Sequence, residues 1–567
     1  MSKRILIVGG VAGGASAAAR ARRIDESAEI TMFERGPFVS FSNCALPFHL
    51  SGIVPEASNL VLMTPEVFDK QYNIKAEVNS EVIKINPAEQ TILVKNTVTG
   101  SETLESYDEL ILSPGANPIL PQSIKGIGQD HVFTVRNVPD IDGIQNYLTA
   151  NEISDVVVVG GGFIGIEVAE NLHLAQKKVT LVEAANQVMA PFDYDMAQIL
   201  HKEIIDNQVE LLLEDAVTEI TADSVILSSG KEVKAGAVIM AIGVTPETTL
   251  AKEAGLTLGE TGGIKVNHHY QTSAPHIYAV GDAIEVTHLQ TKKPTRLTLA
   301  GPAQRQARAA ADHMYGKTYR NTGVIGSSVI QCFGMNAAST GLNEKDCQKE
   351  GLDYRTAYVI PKDRVGLMPD AKPLFFKLVF AYPSGQILGA QALGQGNVDK
   401  RIDVIATMIT MNGNLEDLKE LELSYSPMFG TAKDVVNMAA LVGLNILNGE
   451  YKQVPVTEIR GLVEQSAFII DAREPHEFAE GHLKNAINIP FSQFRQRLSE
   501  IPKDQPVYVH CLSSQRSYNM VKALGMLGYA NVYNLMGSFL GVSMYEYYND
   551  QMQKRTPIMT NYRFDLL

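Results

Sequence analysis

Short aliphatic runs that stop at glycine alternate along this chain with stretches whose apolar residues recur every three or four positions. Residues 4–8 (Arg-Ile-Leu-Ile-Val) are the first such run and end at Gly9-Gly10. They predict a buried strand, then a helix from 14 to about 24, then a second strand over 30–34. The same order returns later: an aliphatic run over 156–159, the turn Gly160-Gly161-Gly162-Phe163-Ile164-Gly165, a helical stretch, and a strand over 179–183. Two βαβ units of this kind predict two dinucleotide sites. At 279–283, Ala-Val-Gly-Asp-Ala marks a return to the first of them. Residues 326–448 mix strand-like runs such as 374–380 with a long helical stretch at 432–447. From 456 a new pattern starts, with strands over 467–470 and 507–510 and helices between them.

The predicted fold class is therefore α/β, with two Rossmann-like dinucleotide-binding domains. The first comprises 1–115 and 246–325, and the second 116–245. An α+β domain follows at 326–448, then a linker at 449–455, a small α/β domain at 456–550 and a polar tail at 551–567 with no assigned role.

Bulk properties narrow the partners. The 567 residues carry a formal net charge of −14. That argues against nucleic acid or an anionic membrane as partner, although local basic pockets remain compatible with it. No stretch approaches 18 uninterrupted apolar residues, so no spanning helix is expected. The aliphatic run near the N-terminus is too short for a secretory signal. Four cysteines in so long a chain (Cys44, Cys332, Cys347, Cys511) make no disulfide scaffold. They suggest a reducing, cytoplasmic setting with thiols kept for chemistry.

The second fingerprint is the cleaner of the two. Gly160, Gly162 and Gly165 give G-x-G-x-x-G after an apolar strand, which allows a tight turn, close approach of a pyrophosphate and helix–strand packing. Glu183 closes the next strand. A carboxylate there accepts from a ribose 2′-hydroxyl and repels a 2′-phosphate, so NADH is expected rather than NADPH. The first fingerprint has Val11 where its second glycine belongs, with Gly9, Gly14 and the terminal acid Glu34 in place. Asp282 is placed to hold the ribityl or pyrophosphate part of FAD. Arg35 and Ala300 complete the expected FAD contacts.

The third feature is Cys44, in Phe41-Ser42-Asn43-Cys44-Ala45-Leu46-Pro47. Four and five residues earlier stand Ser40 and Val39, so the site has one protein thiol where disulfide chemistry needs two sulfurs. The second must come from the substrate, as a thiol, disulfide or persulfide. The fourth is Cys511, at the end of a predicted strand and followed by Leu512-Ser513-Ser514-Gln515-Arg516 and a helix. Amides curling to a helix N-terminus stabilise a sulfur anion, and Arg516 adds positive charge. Asp471, Glu477 and His482 are read as structural hydrogen-bonders. Cys332 and Cys347 lack partners at metal-ligand spacing and are read as structural, so no metal site is expected.

These motifs together resemble a known family. Residues 1–448 are similar to the coenzyme A disulfide reductases, a branch of the two-dinucleotide flavoprotein disulfide reductases. The motifs are Gly9–Gly14, Ser40–Pro47, Gly160–Gly165, Gly281-Asp282, Tyr425-Ser426-Pro427 and Gly430–Asp434. Residues 455–550 resemble a rhodanese domain through Asp471-Ala472-Arg473-Glu474, Gly481-His482 and Cys511–Arg516. The fusion resembles the NADH-dependent persulfide reductases. The resemblance implies FAD, NADH and bound coenzyme A, and a homodimer in which 326–448 forms the interface and Tyr425 comes from the second protomer. It also implies coenzyme A contacts at Ser16, Arg20, Arg23, Ser40, Asn43 and Lys433.

One departure bears on substrate. Where the simpler coenzyme A disulfide reductases have Gly-Tyr-Tyr-Pro, this chain has Gly366-Leu367-Met368-Pro369, and Leu367 cannot donate a proton. The expected function is NADH-driven reduction of coenzyme A persulfide, polysulfide or another low-molecular-weight persulfide. Catalysis would rest on Cys44 and Tyr425, with Cys511 and Arg516 delivering sulfane sulfur. Two alternatives stand beside it: a coenzyme A disulfide reductase with an independent sulfurtransferase domain, and a non-reductive sulfur carrier.

Overall fold

A computed structural model describes residues 2–567. The helices that position the chemistry are, in chain order, α1 (Ala12–Ile24), α2 (Phe163–Leu174), α3 (Tyr194–Asp206), α4 (Ala300–Met314), α5 (Val435–Leu447), α6 (Gln515–Met526) and α7 (Ser538–Met552). The chain divides into two compact units. One runs up to Ala184 and includes Glu214–Val324, and the other joins Ala185–Leu213 to Ile325–Leu567.

The first unit holds both fingerprints. Ile277–Ala279, Glu109–Leu112, Arg4–Val8, Glu29–Phe33 and Lys75–Glu77 lie side by side in that order, all parallel. Ile5, Leu6 and Ile7 are fully buried, as a strand covered on both faces requires. α1 and α4 pack on each other. In the second nucleotide region Lys178–Val182, Asp155–Val159, Ala237–Met240 and Val132–Phe133 are parallel neighbours. Predicted strand and helix limits agree with the structure to within two residues at both fingerprints. The main difference is that α1 starts at Ala12, because Val11 takes the N-cap position.

The second unit contains two sheets. Ser328–Cys332, Met335–Gly341, Ile387–Gly394, Leu374–Ala381 and Tyr354–Val359 form an antiparallel sheet in that order. Among its residues Lys377 is buried, with its ammonium 2.8 Å from Asp195 and 3.1 Å from Asp193, and also paired with Glu344. Burial opposes this charge, but the surrounding carboxylates raise the Lys377 pKa well above its ordinary value. The other sheet is parallel, in the order Gln453–Val454, Val532–Leu535, Val507–His510, Ile469–Asp471, Ile487–Asn488.

The stretch 449–455, expected as a linker, contributes its own strand to this sheet and buries Tyr451 in the core that holds Cys511. The tail is likewise packed. Ile558 and Met559 are buried, and Met559 bridges to Leu483. Cys332 and Cys347 are fully buried.

Candidate active site

Both fingerprints fold as their glycines require. Gly9 has φ +93° and Gly160 +111°, and Cβ atoms there would lie 2.1 Å and 2.4 Å from the carbonyl oxygens of Ser113 and Ala241. At Gly14 and Gly165 a Cβ would fall 1.8 Å from the carbonyl oxygen of the first glycine of each motif. Gly162 is different: nothing lies within 4 Å of its Cβ position, leaving open space at the mouth of α2. Val11 is tolerated in the first motif because its φ is −100°. No side chain caps either α1 or α2, so their first-turn amides face outward for an anion.

Glu183 receives the Gly161 N–H at 2.7 Å, and Glu34 receives those of Gly10 and Gly36 at 3.0 Å each. Each acid therefore stands over its own glycine turn, where a ribose would lie. Arg35 donates to Asn117 at 3.3 Å. Asp282 sits in the 3₁₀ turn Gly281–Ala283, which is tied to α4 by the Gly281 N–H donating to Gln306 at 2.7 Å. Burial raises its carboxyl. Ala300 opens α4, again without a side-chain cap. This donor set fits an FAD along the first sheet and an NADH along the second.

Cys44 lies on the 3₁₀ turn Asn43–Ala45 and is exposed and unpaired. Its loop is held at both ends. The Ser40 N–H donates to the Gly10 carbonyl at 2.9 Å, and the Leu62 N–H to that of Ser40 at 2.8 Å. Ser40 itself adopts φ +49°, a strained conformation for serine of the kind found at functional loops. The helix Pro47–Leu50 packs on α2, and Ser51 donates to Asn171 at 2.6 Å. That packing brings Glu167 of α2 near enough for its charge to act on the thiol. Burial pushes the Cys44 thiol up, and the Glu167 and Asp282 carboxylates add to this. Glu167 is itself pushed up to about 7 by burial and by Glu170.

A pocket of about 450 Å³ opens between α1 and α4. α1 supplies Ser16, Arg20 and Arg23, α4 supplies Gln304, Arg305 and Arg308, and Ser40 lies in the wall. In a chain of net charge −14, four arginines around one cavity mark a site for a polyanion. Arg20 is partly committed, since its Nε donates to the buried Asp312 at 2.7 Å. Arg305 and Arg308 were missed from the sequence, yet the signal was there: 301, 304, 305 and 308 fall on one helical face.

Tyr425 and Lys433, in the second unit, are both exposed in the loop before α5. Leu367 is 86% exposed on the loop between Tyr354–Val359 and Leu374–Ala381. The two loops meet where the Val365 N–H donates to the Pro427 carbonyl at 3.4 Å.

Cys511 ends the strand Val507–His510 and is buried. The helix expected after the loop begins inside it: α6 starts at Gln515, with Ser514 as N-cap at φ +75°. The Ser517 hydroxyl lies 3.5 Å from the Cys511 sulfur, and the Cys511 N–H donates to Ser538 at 3.2 Å. Arg516 donates to both Glu477 oxygens, at 2.6 and 2.7 Å, and lies close enough to Cys511 for the two to interact electrostatically. Asp471 pairs with Arg473 at 2.7 Å, and His482 Nδ1 lies 2.8 Å from the Phe478 carbonyl. Both act within the framework. Ser517 and Ser538 were not foreseen.

Glycine turns, two nucleotide sheets and single thiols define an oxidoreductase of the two-dinucleotide type joined to a second, thiol-bearing domain. The chain matches the profile of the pyridine nucleotide-disulphide oxidoreductases over residues 3–307, their dimerisation domain over 328–434, and the rhodanese-like domain over 456–544. It belongs to the pyridine nucleotide-disulphide oxidoreductases and carries a rhodanese-like domain. It is 32% identical to the coenzyme A disulfide reductase of Staphylococcus haemolyticus over 437 residues, 77% of this chain and 98% of that protein. The structure of reduced Bacillus anthracis CoADR-RHD is similar at 46% identity, covering 96% of this chain and 98% of that one, with a TM-score of 0.93. A NAD-dependent persulfide reductase from A. fulgidus is similar at 32% identity and a TM-score of 0.90, covering 94% of this chain and 99% of that one. Among the described residues no helix is long and apolar enough to cross a membrane.

Proposed function

We propose that this protein is an NADH-dependent reductase of coenzyme A persulfide, polysulfide or related small persulfides, with a rhodanese domain that delivers sulfane sulfur. The observation that carries the reading is one exposed thiol, Cys44, on a loop whose Ser40 walls a four-arginine pocket. The site has a place for a phosphate-rich thiol carrier and only one sulfur of its own. In this reading 1–115 and 246–325 bind FAD, 116–245 binds NADH, 326–448 forms a homodimer interface, and 456–550 is the sulfurtransferase domain. The relatives and the dimerisation-domain match support this division.

The bound nucleotides supply two electrons by hydride transfer. Everything else falls to the chain. Glu183 accepts from the ribose hydroxyls and discriminates against a 2′-phosphate. Arg20, Arg23, Arg305 and Arg308 hold the coenzyme A phosphates together with Lys433, while Ser40 and Asn43 flank the thiol end. The Cys44 thiolate attacks the inner sulfur of R–S–SH. A Cys44–S–S–R bond forms, the S–SH bond breaks, and HS⁻ leaves. Two electrons and a proton then return Cys44 as thiolate and release R–SH. The Tyr425 phenol of the second protomer protonates or hydrogen-bonds the departing sulfur. Cys511, with Arg516 beside it, takes sulfane sulfur from a donor and passes it to the carrier thiol. Thiol chemistry at Cys44 and Cys511 fits a reducing, cytoplasmic setting.

The test is anaerobic turnover with coenzyme A persulfide, following NADH and sulfide together. One sulfide released per NADH oxidised is expected. Sulfur transfer without NADH consumption would make the protein a carrier instead.

A further inference from the structure

The loop that presents Cys511 is held by the first turn of α7. Three contacts join them: the Cys511 N–H donates to Ser538 Oγ at 3.2 Å, the Phe539 N–H to the Cys511 carbonyl at 3.0 Å, and the Leu540 N–H to that of Leu512 at 3.1 Å. Ser538 Oγ also lies 3.0 Å from Ser514 Oγ and 3.4 Å from Ser517 Oγ, the hydroxyl that reaches the Cys511 sulfur. Gly537 at φ +73° and Ser538 at φ +50° turn the chain sharply into the helix here. A shift of α7 along its axis would therefore move the nucleophile's backbone and the hydroxyls around it together.

Within the rhodanese-like domain α7 is anchored by Phe539 and Val542 in the core and by Glu546 and Asp550, which pair with Arg460, and it is held from outside that domain as well. Gly537 and Gly541, one turn apart, form a notch that receives the Tyr358 ring. Cβ atoms at these glycines would lie 2.9 and 3.4 Å from Tyr358 Cε1. Tyr358 is buried on the strand Tyr354–Val359 and stands directly opposite Lys377 across the ladder. Directly opposed residues share a sheet face. The ring thus rises beside an ammonium fixed by Asp193, Asp195 and Glu344. Further along α7, Tyr545 packs edge-on against Tyr194, and Tyr548 packs on His201 and donates to the Leu211 carbonyl at 3.3 Å. The helix is seated along its length on α3 and on the interface-domain sheet.

We infer that Tyr358, a residue of the interface domain, is a positioning residue for Cys511: by fixing α7 it sets the hydroxyl cradle in which the rhodanese-like thiol works. The inference rests on the reading of Cys511 as the sulfur acceptor. Sulfur transfer at this site therefore depends on docking against the reductase part, while reduction at Cys44 does not depend on Tyr358.

The test uses the full-length protein. The pH midpoint of Cys511 alkylation, thiosulfate-to-cyanide sulfur transfer, and NADH-driven reduction of a preformed small persulfide are measured for Tyr358→Ala, Tyr358→Phe and Ser538→Ala. Tyr358→Ala is expected to move the Cys511 midpoint and slow sulfur transfer by about tenfold or more, since small misplacements of a reacting group are costly. Persulfide reduction should stay within about twofold. Tyr358→Phe, which keeps the ring, should behave as wild type, and Ser538→Ala should reproduce the midpoint shift without undocking. If Tyr358→Ala does not fold, Gly541→Leu wedges the same notch from the helix side, where leucine favours helix. An unchanged midpoint and transfer rate in a folded variant overturns the inference, and so does an equal loss of both activities. Cys511→Ser is the control: if it leaves sulfur transfer intact, the reading of Cys511 itself fails, whatever Tyr358 does.

Discussion

Cys44 stands exposed on a short turn with the carboxylates of Glu167 and Asp282 nearby, whereas Cys511 is buried with the Ser517 hydroxyl 3.5 Å from its sulfur and the Arg516 guanidinium in its vicinity. Carboxylates disfavour a free anionic sulfur and leave a neutral or covalently bonded one undisturbed. Donors do the reverse. The first site is thus suited to hold a mixed disulfide between turnovers, and the second to hold a charged persulfide. This difference supports a proposed division of the chemistry between the thiols, one exchanging electrons through a disulfide and the other carrying sulfur.

The largest expected effect breaks the pair apart. Cys44→Ser should cost on the order of 10³-fold or more in NADH-driven persulfide reduction and leave sulfur transfer at Cys511 intact. Cys511→Ser should do the converse when persulfide is supplied directly. Comparing initial rates of both reactions in both variants checks this. A joint loss in either variant would contradict the division.

Tyr425→Phe should slow reduction by about 10²-fold, within the usual range for a positioned proton donor, with flavin content and oligomeric state unchanged. Steady-state kinetics with a flavin spectrum decides it, and unchanged turnover would leave Tyr425 as packing. Glu183→Ala should narrow the preference for NADH over NADPH by roughly tenfold, as one lost hydrogen bond and one relieved repulsion imply. The ratio of kcat/KM for the two nucleotides measures it.

The smallest effect sharpens the electrostatic contrast. Glu167→Gln removes a carboxylate near Cys44, so the pH midpoint of Cys44 alkylation should fall. The same variant has a signature in stability. Glu167 is raised from 4.5 to about 7 in the folded protein, so between those values the native state binds the proton more tightly than the unfolded chain. Stability contributed by this group therefore declines as pH rises through the window. Glu167→Gln should flatten that slope in denaturant titrations, and an unaltered slope would mean the carboxyl is not protonated there.

Much of this arrangement was legible in the chain, for reasons that are local. Gly9, Gly14, Gly160, Gly162 and Gly165 announce their turns because the backbone conformation and the packing act within a few residues. Cys44 could be singled out because it stands without a second cysteine after a glycine fingerprint, and Cys511 because it ends a predicted strand before a loop and a helix. Glu167 could not be placed near Cys44, since their proximity depends on Pro47–Leu50 packing on α2 across more than a hundred residues of sequence. Arg305 and Arg308 carried a helical-face signal that needed α1 as its opposite wall to become a pocket. The cradle of Ser514, Ser517 and Ser538 and its seat on Tyr358 come from segments whose proximity no spacing encodes. Tyr451 shows the reverse error, a polar-looking stretch read as linker whose ring fills the Cys511 core.

In the proposed function this site reduces persulfides in preference to disulfides. HS⁻ is a smaller and less basic leaving group than the coenzyme A thiolate. Leu367, on the loop that meets the Tyr425 loop, offers no second phenol to help the larger one leave. The direct measurement is anaerobic NADH oxidation by the wild-type protein with coenzyme A persulfide and with coenzyme A disulfide, compared as kcat/KM, alongside Leu367→Tyr. At least a tenfold preference for the persulfide is expected, about 1.4 kcal/mol at the transition state, narrowed in Leu367→Tyr by a faster disulfide reaction. Equal wild-type rates with both substrates would contradict it and make the protein a coenzyme A disulfide reductase with a separate sulfurtransferase domain.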